Sequence, residues 1–129
     1  MLDRIRYFNK RVINRVLIRF AGMPHSPFSL VRHVGRRSAK AYQTPIMVAP
    51  SGDGFIFCLT YGPNTDWYRN IVAAGHAMLR SSGKEYRIDN PKMIDASTGR
   101  AAFGIPAKYL LRLLGVRYFF HMEAHIVAQ

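Results

Sequence analysis

Residues 54–70 read Gly54-Phe55-Ile56-Phe57-Cys58-Leu59-Thr60 and then Tyr61-Gly62-Pro63-Asn64-Thr65-Asp66-Trp67-Tyr68-Arg69-Asn70. The first seven are apolar at odd and even positions alike, so an extended strand here has no face to give to water and must be covered on both sides. Gly62-Pro63 breaks the extended run and turns the chain. Asn64 or Thr65 can cap a helix beyond the turn, Asp66 complements its positive end, and Ile71, Val72, Ala73 and Ala74 carry it to a stop at Gly75. A strand end thus meets a helix N-terminus. Backbone N–H groups at such a corner suit an anion or a polarised carbonyl, and Trp67 and Tyr68 can offer ring faces to a flat ligand.

Upstream of this corner, Phe28 to Val34 alternates as a strand and Ala41 to Ala49 gives a second, joined by Gly35-Arg36-Arg37-Ser38-Ala39-Lys40. Turn N–H groups, the Ser38 hydroxyl and the cations Arg36, Arg37 and Lys40 can together hold a phosphate or carboxylate, although such runs are more often solvated hairpin tips. An exposed tip carries little stability, so on either reading the loss of Arg36 and Arg37 leaves the fold intact. Pro45 inside the second strand implies a sheet edge or a bulge, since it has no N–H to give to a ladder. Ser51-Gly52-Asp53-Gly54 reads as a tight hairpin turn.

Downstream, Ala77 to Arg80 and Glu85 to Asp89 form a hairpin through Ser81-Ser82-Gly83, and Lys92 to Asp95 extends beyond Pro91. Pro106 opens a helix over Ala107 to Leu114, whose Leu110, Leu111, Leu113 and Leu114 cover the core before Gly115 ends it. The last segment, Val116 to Val127, is a strand with Phe120, Met122, Ala124 and Ile126 on one face and His121, Glu123 and His125 on the other. Two imidazoles and a carboxylate can ligate a metal, but no further ligand lies nearby in sequence, so the stripe reads as solvent-facing and no metal site is assigned. Many short strands with regular turns give an antiparallel sheet or barrel.

From Leu2 to Phe20, apolar residues at Leu2, Ile5, Phe8, Val12, Ile13, Val16, Leu17 and Phe20 are spaced as one face of a helix, backed by Arg4, Lys10, Arg11, Arg15 and Arg19. That pattern serves a helix docked on a domain or one lying on an anionic membrane face. The chain divides into this N-terminal amphipathic helix, residues 1–21, and one domain, residues 22–129. At 129 residues with a single Cys, the domain needs a buried core and no disulfide. Cys58 sits in the apolar strand as a small core residue rather than a catalytic thiol. A cytoplasmic setting fits, with no signal sequence and no segment long enough to span a bilayer. The net charge of +12 admits nucleic acid, anionic lipid or a polyanionic small molecule as partner. The basic residues are dispersed, and neither zinc-finger spacing nor an RNA-binding aromatic signature accompanies them, so no nucleic acid is assigned.

Read with Gly35-Arg36-Arg37-Ser38 and Thr44-Pro45, the run Tyr61 to Asn70 resembles the deazaflavin-dependent nitroreductase (quinone reductase) family. There a Trp-Tyr-x-Asn helix start and a Gly-Arg-x-Ser/Thr turn recur at about this separation on a split β-barrel. The family's usual Gly after the Ser/Thr is Ala39 here, and a frequent Arg is Tyr42. The resemblance implies an α+β fold: a split antiparallel β-barrel, FMN-binding-like, with the N-terminal amphipathic helix and two short covering helices. It implies an enzyme that binds the reduced deazaflavin coenzyme (factor 420) and passes a hydride to a nitroaromatic, quinone or conjugated enone. Carried over by position, Arg36, Arg37, Ser38 and Lys40 would meet the phosphate and polyglutamate tail, and Thr44, Pro45 and Ile46 would line its middle. Thr60, Tyr61 and Gly62 would sit against the ring, Trp67 and Asn70 would wall the pocket, and Tyr61 and Trp67 would be the catalytic pair. FMN is the alternative cofactor on the same barrel. A non-enzymatic carrier of a fatty acid or other apolar ligand at the membrane surface is the alternative function. Further expectations are a homodimer, as split barrels usually form, and peripheral contact of residues 2–20 with the inner membrane face.

Overall fold

The computed structural model describes residues 29–104 and 107–128. The expected N-terminal helix therefore lies outside the described residues. In chain order the elements are β1 (Ser29–Val34), β2 (Ala41–Ile46), β3 (Val48–Ser51), β4 (Gly54–Cys58), α1 (Asp66–Ala74), β5 (His76–Ser81), β6 (Lys84–Ile94), α2 (Ala96–Ala102), α3 (Ala107–Leu113) and β7 (Phe119–Ala128). All seven strands form one antiparallel sheet in the order β2-β1-β5-β6-β7-β4-β3. The α+β fold with a curled antiparallel sheet is as the sequence indicates.

β4 is buried at every residue, and its alternation feeds two cores. Phe55 and Phe57 point into a cluster with Val31, Ile71, Leu79, Ile88, Phe120 and Met122. Ile56 and Cys58 point the other way, against Leu111, Val116 and Phe119. The strand's double-sided apolar run is thus the wall shared by the two layers. Gly54 starts it because β4 runs tight against β7: a Cβ there would lie 1.8 Å from the Met122 carbonyl oxygen.

Several boundaries differ from the sequence reading. The single strand expected over Ala41 to Ala49 is two, β2 and β3, parted at Met47, and these are the two outer strands of the sheet. Pro45 lies on β2 and Pro50 on β3, where a missing N–H is tolerated. The two strands expected on either side of Pro91 are one, β6, which keeps its pairing with β7 through a register shift between Asp89 and Lys92. Asn90, at φ 58°, absorbs the irregularity. The final strand begins at Phe119 rather than Val116.

Helix α2 has no counterpart in the sequence reading. Asp95 caps it, its Oδ2 accepting from the Thr98 N–H at 3.0 Å, and Gly99 lets the Phe119 ring seat directly on the helix, where a Cβ would come within 2.3 Å of it. Helix α3 was expected to cover the core with four leucines. Only Leu111 is buried, while Leu110, Leu113 and Leu114 are 49%, 83% and 61% exposed. Among the described residues no helix is long and apolar enough to cross a membrane.

Candidate functional site

Strand alternation places Val31 and His33 of β1 on the same face as Tyr42, Thr44 and Ile46 of β2, because Val31 faces Thr44 and His33 faces Tyr42 across the ladder. Helix α1 lies beside β1. Between this face, the β1–β2 turn and the start of α1 opens a cavity of about 800 Å3, within the ordinary range for a small-ligand site.

Of the residues singled out from sequence, Arg36, Arg37, Ser38, Thr44, Pro45, Ile46, Thr60, Tyr61, Trp67 and Asn70 all line it. Two do not. Lys40 closes the hairpin, its carbonyl accepting from the Gly35 N–H at 2.8 Å, and Gly62 sits in the turn behind Tyr61 with φ 88°, its N–H donating to the Leu59 carbonyl. Tyr68 also leaves the wall: its ring packs 4.9 Å from Phe120 in the core. Trp67 both lines the cavity and leans on Phe120, with ring centroids 5.8 Å apart. Thr65 occupies the N-cap position, but its hydroxyl donates back to the Gly62 carbonyl at 3.2 Å and no side chain caps the helix. Asn64 instead accepts from Arg69 Nη2.

The two arginines of the turn part company. Arg36 donates from its backbone N–H and from Nη1 to Asn70 Oδ1, at 3.1 and 2.9 Å, and from Nη2 to Asp66 Oδ1 at 3.2 Å. Its side chain is only 23% exposed. Arg36 is a tie between the turn and α1, which corrects the expectation that both arginines sit on a dispensable tip. Arg37 is exposed at the cavity rim and makes no ion pair among the described residues. The Ser38 hydroxyl accepts weakly from the Lys40 N–H and lies 3.3 Å from the Tyr42 hydroxyl.

His33 went unremarked in the sequence, although the inward alternation of positions 29, 31 and 33 pointed to it. It is 7% exposed. Nδ1 lies 3.1 Å from Asn70 Nδ2, Nε2 lies 2.9 Å from Thr44 Oγ1, and the Tyr42 ring stacks on it. Burial holds its pKa below the ordinary value. Burial likewise pushes the Cys58 thiol up. A neutral, buried thiol is a poor nucleophile, in keeping with a core role. The polar stripe of β7 is engaged residue by residue: His121 with Asp53, Glu123 with Asn90 and His125 with Asp89.

An apolar floor of Ile46, Met47, Cys58 and Trp67, hydroxyls at Thr44 and Thr60, and a cationic rim at Arg37 suit a flat polar-edged ring with an anionic extension. Fold and cavity together define a split-barrel protein of the small-molecule cofactor class. The family model of the F420H(2)-dependent quinone reductases matches residues 6–106, and the chain belongs to that family. It is an oxidoreductase that uses the deazaflavin coenzyme. No curated protein matches the chain. Among solved structures it is similar to one described as a domain-swapped dimer, with TM-score 0.61 and 14% identity over 95% of this chain and 98% of that one. Another is an F420-H2 dependent reductase, with TM-score 0.59 and 15% identity over 75% of this chain and 94% of that one. A third is an F420 reductase at TM-score 0.52 and 12% identity, covering 76% and 86%. At such identities the likeness speaks for the fold alone.

Proposed function

We propose that the cavity seats the reduced deazaflavin with its ring system against Thr44, Pro45, Ile46, Thr60, Tyr61 and Trp67, and directs its acidic tail to Arg37 and Ser38. The observation that carries this reading is the meeting of the two sequence motifs, the turn at 35–38 and the helix start at 65–70, around one cavity. When bound, the reduced coenzyme supplies the hydride. The chain's own residues bind, orient and exclude water. Trp67, braced by Phe120, forms a rigid wall. Tyr61, 72% exposed, stands on the open side where an electron-poor acceptor enters, so Tyr61 and Trp67 are assigned to holding that acceptor against the ring. Quinones, nitroaromatics and conjugated enones meet the chemical requirement, since each accepts a hydride at a polarised conjugated system.

The test is a fluorescence titration with the deazaflavin coenzyme and with FMN. Tighter binding of the deazaflavin supports the assignment. Binding of FMN alone moves the chain to the FMN reductases of the same fold, and binding of fatty acid but neither ring moves it to a carrier. We further assign residues 2–20 to peripheral contact with the inner membrane face, because their apolar stripe is backed by cations that each contribute about 1 kcal/mol at an anionic surface. Sedimentation with anionic vesicles should fall as salt rises and be lost on removing residues 1–21. We also assign a homodimer, which light scattering showing a monomer mass would reject.

A further inference from the structure

The cavity contains a chain of hydrogen bonds whose direction is fixed at one end. Asn70 Oδ1 faces two groups that can only donate, the Arg36 backbone N–H and Arg36 Nη1. The amide cannot be turned round, because its NH2 would then meet both donors. Asn70 Nδ2 must therefore point at His33 Nδ1, 3.1 Å away, and Nδ1 must accept. A neutral imidazole that accepts at Nδ1 carries its proton on Nε2. That proton is donated to Thr44 Oγ1 at 2.9 Å. The Thr44 hydroxyl, with a lone pair engaged, has its own proton to give, and Thr44 lines the cavity.

We propose that His33 is a positioning residue which, oriented by Asn70 and Arg36, presents the Thr44 hydroxyl as a fixed hydrogen-bond donor to an acceptor atom, a carbonyl oxygen or unprotonated ring nitrogen, of the bound deazaflavin. The proposal rests on the cofactor reading of the cavity. Every bond in the series runs the same way, from the Arg36 guanidinium outward, so each donor polarises the next and the terminal O–H is a stronger donor than an isolated threonine. The charged groups around the relay act in the same sense. A proton on His33 Nδ1 would oppose the Asn70 NH2 and lie near the Arg36 cation. Asp66 is engaged by that cation, and Tyr42 covers the imidazole face with its ring. Burial adds to this preference for the neutral form.

Nitrogen-resolved NMR of the ligand-free protein, labelled at histidine, should show His33 protonated on Nε2 and bare on Nδ1 at neutral pH. The reverse tautomer, or an imidazolium, overturns the relay whatever the cofactor turns out to be. Thr44→Val keeps the shape and removes the donor, and should raise the dissociation constant for the deazaflavin coenzyme about tenfold, while Thr44→Ser restores it. His33→Phe should weaken binding to a similar extent, and adding Thr44→Val to it should weaken it no further. Equal affinity of Thr44→Val and the unaltered protein refutes the donor role. Should His33→Phe fail to fold, the tautomer measurement and the Thr44 pair still decide. An unaltered protein that binds no deazaflavin refutes the cofactor reading and the occupant named here, while the tautomer is judged on its own signal.

Discussion

Helices α1 and α3 are attached to the same sheet by different means. α1 adds direction to apolar packing: Ile71, Trp67 and Tyr68 pack in the main core, while Asn70, 5% exposed, meets Arg36 and His33, and Asp66 meets Arg36. α3 is held by area: Leu111 is its one buried residue. Apolar contact is indifferent to small rotations, whereas a carboxamide with three partners accepts one orientation. The helix beside the cavity has the directional attachment, and among the described residues the helix on the far side of the sheet does without it.

Asn70→Leu gives this contrast its hardest test. It leaves the Arg36 backbone N–H, Arg36 Nη1 and His33 Nδ1 without their partner, and denaturant unfolding should show a loss of about 3–5 kcal/mol despite the added apolar surface. A neutral result would mean that burial alone seats α1. Leu111→Ala should cost about 2–4 kcal/mol through the cavity it leaves, whereas Leu113→Ala, at an 83% exposed position, should change stability by less than about 0.5 kcal/mol. Equal losses would show that α3 is held by its whole apolar face.

The arginines sharpen the same point. Arg36→Ala should lose about 1–2 kcal/mol, the value of charge-assisted bonds discounted for partial exposure. Arg37→Ala should leave the melting temperature unchanged and weaken the intact coenzyme at least tenfold, with much less effect on a fragment lacking phosphate and glutamates. An unchanged affinity would remove Arg37 from the tail site.

A gentler probe is pH. His33 has its folded pKa below the ordinary 6.5, so between the folded value and 6.5 the unfolded chain binds the extra proton. Stability is then full above 6.5 and declines as pH falls through that window. Chemical denaturation from pH 7 downward should show this component in the unaltered protein and not in His33→Phe. The smallest effect concerns the turn itself. Ala39 sits at φ 57°, a left-handed conformation that strains any side chain, where the family resemblance puts Gly. Ala39→Gly should stabilise by up to about 1 kcal/mol, read as a small rise in melting temperature.

The parts of this architecture legible in sequence are those where the pattern is local. The two-faced run of β4, the hairpins and the helix start at Thr65 were all marked by periodicity or by turn residues. The two motifs around the cavity were visible for the same reason. Helix α2 was hidden because Gly99 and a Ser-Thr pair depress helix propensity, and the packing that compensates, with the Asp95 cap, comes from the distant Phe119 ring. The split at Met47 was hidden because an apolar run does not say where it leaves one edge for the other. The role of Arg36 was illegible since its partners, Asp66 and Asn70, lie 30 and 34 residues away. Nothing in Gly35-Arg36-Arg37-Ser38 distinguishes the arginine that ties from the one that faces the rim.

The placement of Pro45 and Pro50 has a consequence outside the cavity. Because β2 and β3 are consecutive in the chain yet lie at opposite ends of the strand order, the two outer strands among the described residues flank the single residue Met47. Each edge strand carries one proline, and a proline presents no N–H to an incoming strand. A proline on an outer strand is one of the features that make a sheet edge a poor template for an added strand. In a chain that is 49% hydrophobic, prolines so placed disfavour edge-to-edge aggregation and fibre growth.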